Sequence, residues 1–227
     1  MSADIAKINA AAAAVAHVSD GMVLGLGTGS TAAHFVRMLG QRVAQGLQVR
    51  GVPTSEATAA LAHEVGVPLM DIDKVTTLDL VVDGADEIDP QFQLIKGGGA
   101  ALLREKIVAA AGAHLLIIAD ESKRVAQLGA FPLPVEVTPF GYALTAAKIY
   151  RALRDAGCTG ADVSLREGVV TDGGNVILDC QCRAIPDPAD LADRLKAIVG
   201  VVEHGLFIDM ARTVIFGRID GVETLER

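Results

Sequence analysis

Tryptophan is absent from all 227 residues, and aromatics make up only 4%. A platform for stacking single-stranded bases needs more aromatic faces than that. Positive charge is scarce as well: 20 Lys and Arg face 28 Asp and Glu, for a net charge of −8. Binding to a nucleic-acid backbone rests on many cations releasing counterions, so nucleic acid is excluded as a partner. One small phosphate held by a few local donors is not. Cysteine is rare, with Cys158, Cys180 and Cys182 in a spacing that matches no zinc pattern. Three unpaired thiols point to a reducing compartment. No apolar run reaches the roughly 20 residues of a membrane span. The stretch Ala10–Ala16 has no basic segment ahead of it and follows Asp4, so it reads as a helix rather than a signal peptide. These features predict a cytoplasmic protein with no membrane partner.

What is present suits a packed core. Hydrophobic residues reach 51%, and the length allows one large domain or two modest ones, at about 100–200 residues each. The first half alternates apolar runs with helical stretches: strands at 22–27 and 47–53, helices at 30–44 and 55–65. "DLVVDGAD", "FQLIKGGG", a helix near 100–111 and "HLLIIAD" follow. Continuous apolar strands separated by helices predict a Rossmann-like parallel sheet covered on both faces. After the proline-rich 131–140 the rhythm changes to strand (135–137), helix (142–156), strand (161–166), strand (175–180), helix (188–198) and strand (201–208). The order βαββαβ is the ferredoxin-like unit, with "TDGGN" as the hairpin turn between its middle strands. The expected fold is therefore α/β. A parallel-sheet domain takes in 1–130 and about 205–227, and a smaller ferredoxin-like α+β domain takes in 131–204.

"GLGTGST", residues 25–31, lies between a strand and a helix. Such a loop offers backbone N–H groups and a helix N-terminus to an anion. It is no dinucleotide fingerprint, because the sixth position holds Ser30 and the next strand ends in "VPTSEAT" without the required acid. It is no Walker loop, because no Lys precedes the hydroxyl residues. Two readings stand: a pocket for a small phosphate monoester lined by Thr28, Gly29, Ser30 and Thr31, or a tight turn capped by Ser30 with no ligand.

Four acids crowd "DGADEID": Asp83, Asp86, Glu87 and Asp89. Their spacing is not that of an EF-hand and no His lies near, so no metal site is expected. Carboxylates also accept hydrogen bonds from sugar hydroxyls. Asp83 and Asp86, with Gly84 and Ala85 between them, are read as functional. Glu87 is read as a solvated surface acid, and Asp89 as a turn residue before Pro90. Lys96 leads into Gly97, Gly98 and Gly99, then into a helix carrying Glu105 among Ala101, Leu102, Val108 and Ala109. A carboxylate on an apolar face is a candidate general base. An ion pair with Lys106, Arg104 or Lys96 is the competing reading. Ligands of parallel sheets sit outside the carboxyl ends of the strands, so all three loops are expected on one edge.

In that order and separation, "GLGTGSTA", "DGADEID" and "KGGGAALLREKI" closely resemble the type A ribose-5-phosphate isomerase family. "PVEVTPFGY", "TDGGNVILDC" and "VVEHGLF" resemble its second domain, so the likeness runs almost end to end. The resemblance implies an aldose–ketose isomerase that interconverts ribose 5-phosphate and ribulose 5-phosphate in the non-oxidative pentose phosphate pathway, without metal or organic cofactor. It implies substrate contacts at Thr28–Thr31, Asp83–Asp86 and Lys96–Gly99, and Glu105 as the proton acceptor. Lys123, in "ADESKR", becomes a substrate contact and Lys7 a phosphate ligand. The resemblance also implies a homodimer or homotetramer. Two other classes compete: a sugar-phosphate sensor, which lacks room for a helix-turn-helix before residue 20, and a CoA transferase, for which no CoA-sized site is seen.

Overall fold

The computed structural model describes residues 2–227. In chain order the elements are α1 (Ser2–Val15), β1 (Val23–Leu26), α2 (Ser30–Ala44), β2 (Arg50–Pro53), α3 (Glu56–Glu64), β3 (Leu80–Asp83), β4 (Glu87–Ile88) and β5 (Leu94–Ile95). Next come α4 (Leu102–Ala111), β6 (Leu115–Asp120), β7 (Leu133–Val137), α5 (Tyr142–Asp155) and β8 (Asp162–Leu165). The last are β9 (Val176–Gln181), α6 (Pro188–Lys196), β10 (Val201–His204), β11 (Leu206–Phe207), β12 (Ala211–Arg218) and β13 (Gly221–Glu226). None of the helices described is long and apolar enough to cross a membrane.

Two compact units divide the chain. The first holds the residues up to Ala85, then Arg104–Lys123 and Met210–Arg227. Its sheet runs β13-β12-β6-β3-β1-β2. Pairing is parallel throughout except for β13, which returns antiparallel as an edge. Counting only the parallel strands, the order is 2-1-3-4-5, and the crevice at the carboxyl ends opens where the winding reverses, between β1 and β3. These strands are apolar at almost every position because helices cover both faces. Leu24, Leu26, Val82, Leu116, Ile118 and Ile215 form one core with Phe35, Val36 and Leu39 of α2. Helix α1 fits through small side chains: Ala10, Ala11 and Ala14 are fully buried. The carbonyl of Ala6 lies where a Cβ on Gly217 would be, so the helix touches the strand's backbone.

The second unit holds Asp86–Leu103 and Arg124–Asp209. Its main sheet has the order β10-β7-β9-β8 with every pair antiparallel, and α5 and α6 complete the βαββαβ unit. Val135, Val137, Leu178 and Cys180 pack against Ile149, Leu153, Leu191 and Leu195. Asp187 caps α6 by accepting from the N–H groups of Ala189 and Asp190, with Pro188 at the first helical position. "TDGGN" is a turn inside a longer connection rather than the hairpin itself, since strand pairing ends at Leu165 opposite Leu178.

One expectation is corrected here. Leu94–Ile95, from "FQLIKGGG", does not join the parallel sheet. It pairs antiparallel with Glu87–Ile88 and with Leu206–Phe207, forming a separate three-stranded sheet. A two-residue strand has too little length to mark its sheet by periodicity. Residues 86–103 therefore pack with the second unit, where the sequence reading put them with the first. The expectation of a shared edge holds for the loops after β1 and β3, which are neighbouring parallel strands.

Candidate functional site

In the first unit, β1 ends at Leu26 and the chain turns through Gly27, Thr28 and Gly29 into α2. Gly27 is set by crowding: a Cβ there would collide with the carboxylate and Cα of Asp83. Asp83 ends β3 and is fully buried. Its Oδ1 accepts from the N–H of Thr28 at 3.1 Å and of Gly84 at 2.7 Å. Gly29 begins α2 with φ +104°, a left-handed value that favours glycine, and no side chain caps the helix. The first-turn N–H groups consequently have no intrahelical acceptor, at the end where the dipole favours an anion. The reading of Ser30 as a cap is excluded: Gly29 holds that position, and Ser30 is the first helical residue. Ser30 is exposed and its Oγ accepts from Lys7 Nζ at 3.0 Å. This places Lys7 at the same helix end.

Thr28 points elsewhere. Its Oγ1 lies 2.7 Å from Thr54 Oγ1, 2.8 Å from Ser55 Oγ and 3.2 Å from Thr58 Oγ1. Thr54 and Thr58 in turn donate to the carbonyls of Leu26 and Gly27. Four hydroxyls thus form a floor under the glycine loop. Thr28 shapes the loop, and Ser30 and Thr31 are the hydroxyls left at the helix end. Glu105 lies in the first turn of α4, 4% exposed. One turn on, Val108 packs over Gly25 of β1. Arg104 donates to Glu56 at 2.7 Å. Lys123, half-buried, ends a single 3-10 turn directly after β6.

In the second unit, Asp86 is anchored by its N–H to the carbonyl of Ile95, and its Oδ2 accepts from the N–H of Gly98 at 2.8 Å. Lys96 is 2% exposed, its ammonium 5.4 Å from the centre of the Phe207 ring, and its N–H donates to the carbonyl of Gly205. At that distance the face of the ring attracts the ammonium. Gly97, at φ +105°, and Ala100, at φ +59°, bend the loop sharply before α4. Gly98 and Gly99 remain exposed.

Glu87 corrects the sequence reading. It is 3% exposed, not a surface acid, and accepts from the N–H groups of Gly129 at 2.7 Å and Phe131 at 2.6 Å. Its role is to hold that loop. Asp89 is the turn residue expected, with Oδ1 accepting from Gln91 and Gln93. Ser55 caps α3, as its place before a helical run predicts, but sequence reasoning missed Thr54 and Thr58 and the link of all three to Thr28, because "VPTSEAT" shows only that it lacks the required acid. It also missed Arg166, which donates to the carbonyls of Gly97 and Gly98. Among the described residues, no group of three or more His, Cys, Asp or Glu is placed to hold a metal.

Comparison with known proteins adds the chemistry to this geometry. Residues 50–221 match the family model described as ribose 5-phosphate isomerase A (phosphoriboisomerase A). A ribose-5-phosphate isomerase A from Maricaulis maris is 57% identical over 226 residues, 97% of either chain. One from Nitrobacter hamburgensis is 56% identical over 232 residues and spans all of both. Among solved structures, a D-ribose-5-phosphate isomerase in complex with phospho-erythronic acid is 40% identical, with a TM-score of 0.92 and both chains fully covered. Ribose 5-phosphate isomerase A from Methanocaldococcus jannaschii is 41% identical over 99% of either chain, with a TM-score of 0.89.

Proposed function

The chain belongs to the ribose 5-phosphate isomerase A family, and on that premise we propose how its residues divide the work of isomerising ribose 5-phosphate and ribulose 5-phosphate in pentose phosphate metabolism. The reaction removes a proton beside a carbonyl, passes through an enediolate and returns the proton to the neighbouring carbon. One observation carries the assignment of that step: Glu105 is a carboxylate held at 4% exposure in the first turn of a helix. A carboxylate in that position can accept a proton from carbon, as a general base requires. Glu105 takes the proton from C2 and delivers it to C1.

The other roles follow from what each group offers. Asp83 is held rigidly by two N–H donors, and its carboxylate orients sugar hydroxyls and assists ring opening. Asp86 does the same from the Lys96 loop. The ammonium of Lys96 stabilises the oxyanion as charge develops, the kind of preorganised electrostatics that usually dominates such steps. The uncapped N-terminus of α2, with Ser30, Thr31 and Lys7, grips the phosphate, and Lys123 adds a second cation. Remote binding energy from the phosphate then positions the reacting carbons. No step requires a metal or organic cofactor. The assembly is a homodimer or homotetramer in the cytoplasm, where unpaired thiols and phosphorylated sugars both persist.

Ribose 5-phosphate incubated with the protein in D₂O, with ketose measured and deuterium followed by NMR, tests this. Ketose should form, with deuterium at the transferred position wherever the carboxylate exchanges with solvent. No ketose above the blank overturns the reading.

A further inference from the structure

Arg166 follows β8 in a segment assigned no role above, yet all three of its side-chain nitrogens donate hydrogen bonds, and they do so to two targets. Its Nε and Nη2 meet Asp179 Oδ2 at 2.8 Å and Oδ1 at 2.5 Å. That is the fork-to-fork pairing of a guanidinium with a carboxylate, which fixes the plane of the head group. Both side chains are largely buried, at 17% and 21% exposure. The remaining nitrogen, Nη1, carries two hydrogens. It donates to Gly97 O at 3.0 Å and to Gly98 O at 3.1 Å.

Peptide planarity turns those two bonds into a statement about N–H groups. In a trans peptide the carbonyl and the N–H point to opposite edges. Fixing Gly97 O on Arg166 sends the N–H of Gly98 the other way, where it meets Asp86 Oδ2 at 2.8 Å. One peptide plane is thus gripped from both edges, by Arg166 and by Asp86. Fixing Gly98 O likewise sends the N–H of Gly99 away from Arg166. Among the described residues no acceptor takes that N–H, and Gly99 is exposed. The loop's backbone needs such help. Ala100 at φ +59° adopts a left-handed conformation, which in a non-glycine residue persists where surrounding contacts impose it.

We propose that Arg166, its plane set by Asp179, is a positioning residue for catalysis: it locks the Gly97–Gly99 peptides so that Lys96, Asp86 and the N–H of Gly99 present a fixed set of donors and acceptors to the enediol oxygens. The proposal rests on the role given to Lys96 under Proposed function. Arg166 itself touches no substrate.

The test compares Arg166→Ala, Arg166→Lys, Asp179→Asn, Lys96→Ala and the Arg166→Ala/Lys96→Ala double variant, with ribose 5-phosphate as substrate and thermal unfolding in parallel. Arg166→Ala and Asp179→Asn should each lower kcat by about 10²-fold, the cost of an ångström-scale misplacement, with KM little changed. Arg166→Lys should recover part of that loss, since a single ammonium can reach a carbonyl but cannot match Asp179's two oxygens. The double variant should be little slower than Lys96→Ala alone, because the two substitutions disable one unit. Native kcat in Arg166→Ala, a loss seen only in KM, or losses that multiply in the double variant would overturn the proposal. So would a kcat loss confined to variants already unfolding at the assay temperature, with Asp179→Asn folded and fully active. Should Lys96→Ala itself turn over normally, the role of Lys96 falls and takes the proposal with it. If Lys96→Ala is slow and Arg166→Ala is not, only the proposal fails.

Discussion

Thr28 and Asp83 are joined by a 3.1 Å hydrogen bond from the backbone N–H of one to the carboxylate of the other. The ends of β1 and β3 are therefore tied together at the point where the sheet's winding reverses. The bond exists only because Gly27 leaves room for the Asp83 side chain, whose atoms fill the space a Cβ would need.

Gly27→Ala is accordingly expected to harm both stability and activity. Overpacking of this kind costs about 1–3 kcal/mol. Displacement of Asp83 should also lower kcat in protein that remains folded. Urea unfolding and the ketose assay on one sample measure the two effects. An unchanged midpoint would mean that the loop has slack the structure does not show.

Glu105→Gln keeps the side chain's size but cannot accept a proton at neutral pH. General-base catalysis is worth about 10²–10⁴-fold, and kcat should fall by that much or more. The far-UV spectrum and melting temperature should stay near those of the parent. Turnover within a few fold of the parent would remove Glu105 from the reaction.

At the start of α2, Ser30→Ala with Thr31→Ala, and separately Lys7→Ala, should chiefly raise KM. A hydrogen bond to a charged group is worth about 1.5–3 kcal/mol. Comparing ribose 5-phosphate with ribose isolates the phosphate: each variant should narrow the preference for the phosphorylated sugar, and Lys96→Ala should not. A preference left intact in both helix-end variants would move the phosphate to another cation, with Lys123 the next to test.

The thiols offer a pH test. Burial first, and then Asp179 and other nearby negative groups, push Cys180 well above its ordinary value of 9.0. The folded state thus holds this proton more tightly than the unfolded chain does. Its contribution to stability is complete below pH 9 and is lost above it, as the unfolded thiol ionises. The slope is at most about 1.4 kcal/mol per pH unit for one group. Urea midpoints should fall more steeply above that pH for the parent than for Cys180→Ala. All three cysteines are buried, so iodoacetamide should modify them only after unfolding. Equal slopes in the two proteins, or rapid labelling of Cys180 in the native state, would contradict this.

What the sequence revealed and what it hid divide along a physical line. Strands β1, β3 and β6 announce themselves because both faces are buried and nearly every position is apolar. The βαββαβ order was readable from the same local signals. Leu94–Ile95 was misplaced because two residues carry no period. Glu87 looked solvated because its partners, Gly129 and Phe131, lie more than forty residues away and offer only backbone N–H groups. Such groups are identical in every sequence except at proline. The hold of Arg166 on the glycine loop was invisible for the same reason, since its targets there are carbonyls. Glu105, Lys96 and the acids stood out because glycine-rich surroundings and apolar neighbours are unusual company for charge. Pairings between side chain and distant backbone are the class that sequence patterns cannot report.

The place of β12 has a consequence for how the chain is made. This strand, Ala211–Arg218, lies between β6 and β13, and α1 rests on it with the Ala6 carbonyl against Gly217. Helix α1 therefore waits for a strand synthesised long after it. At about 5–20 residues per second that delay is roughly 10–40 s. Strands β7–β10 precede β12 in one continuous stretch, so the sheet of the second unit can close before that of the first. During that interval an alanine-rich helix and the open side of β6 are exposed to solvent. The newborn chain is most vulnerable to association around α1 and β6, and the arrival of β12 ends that risk.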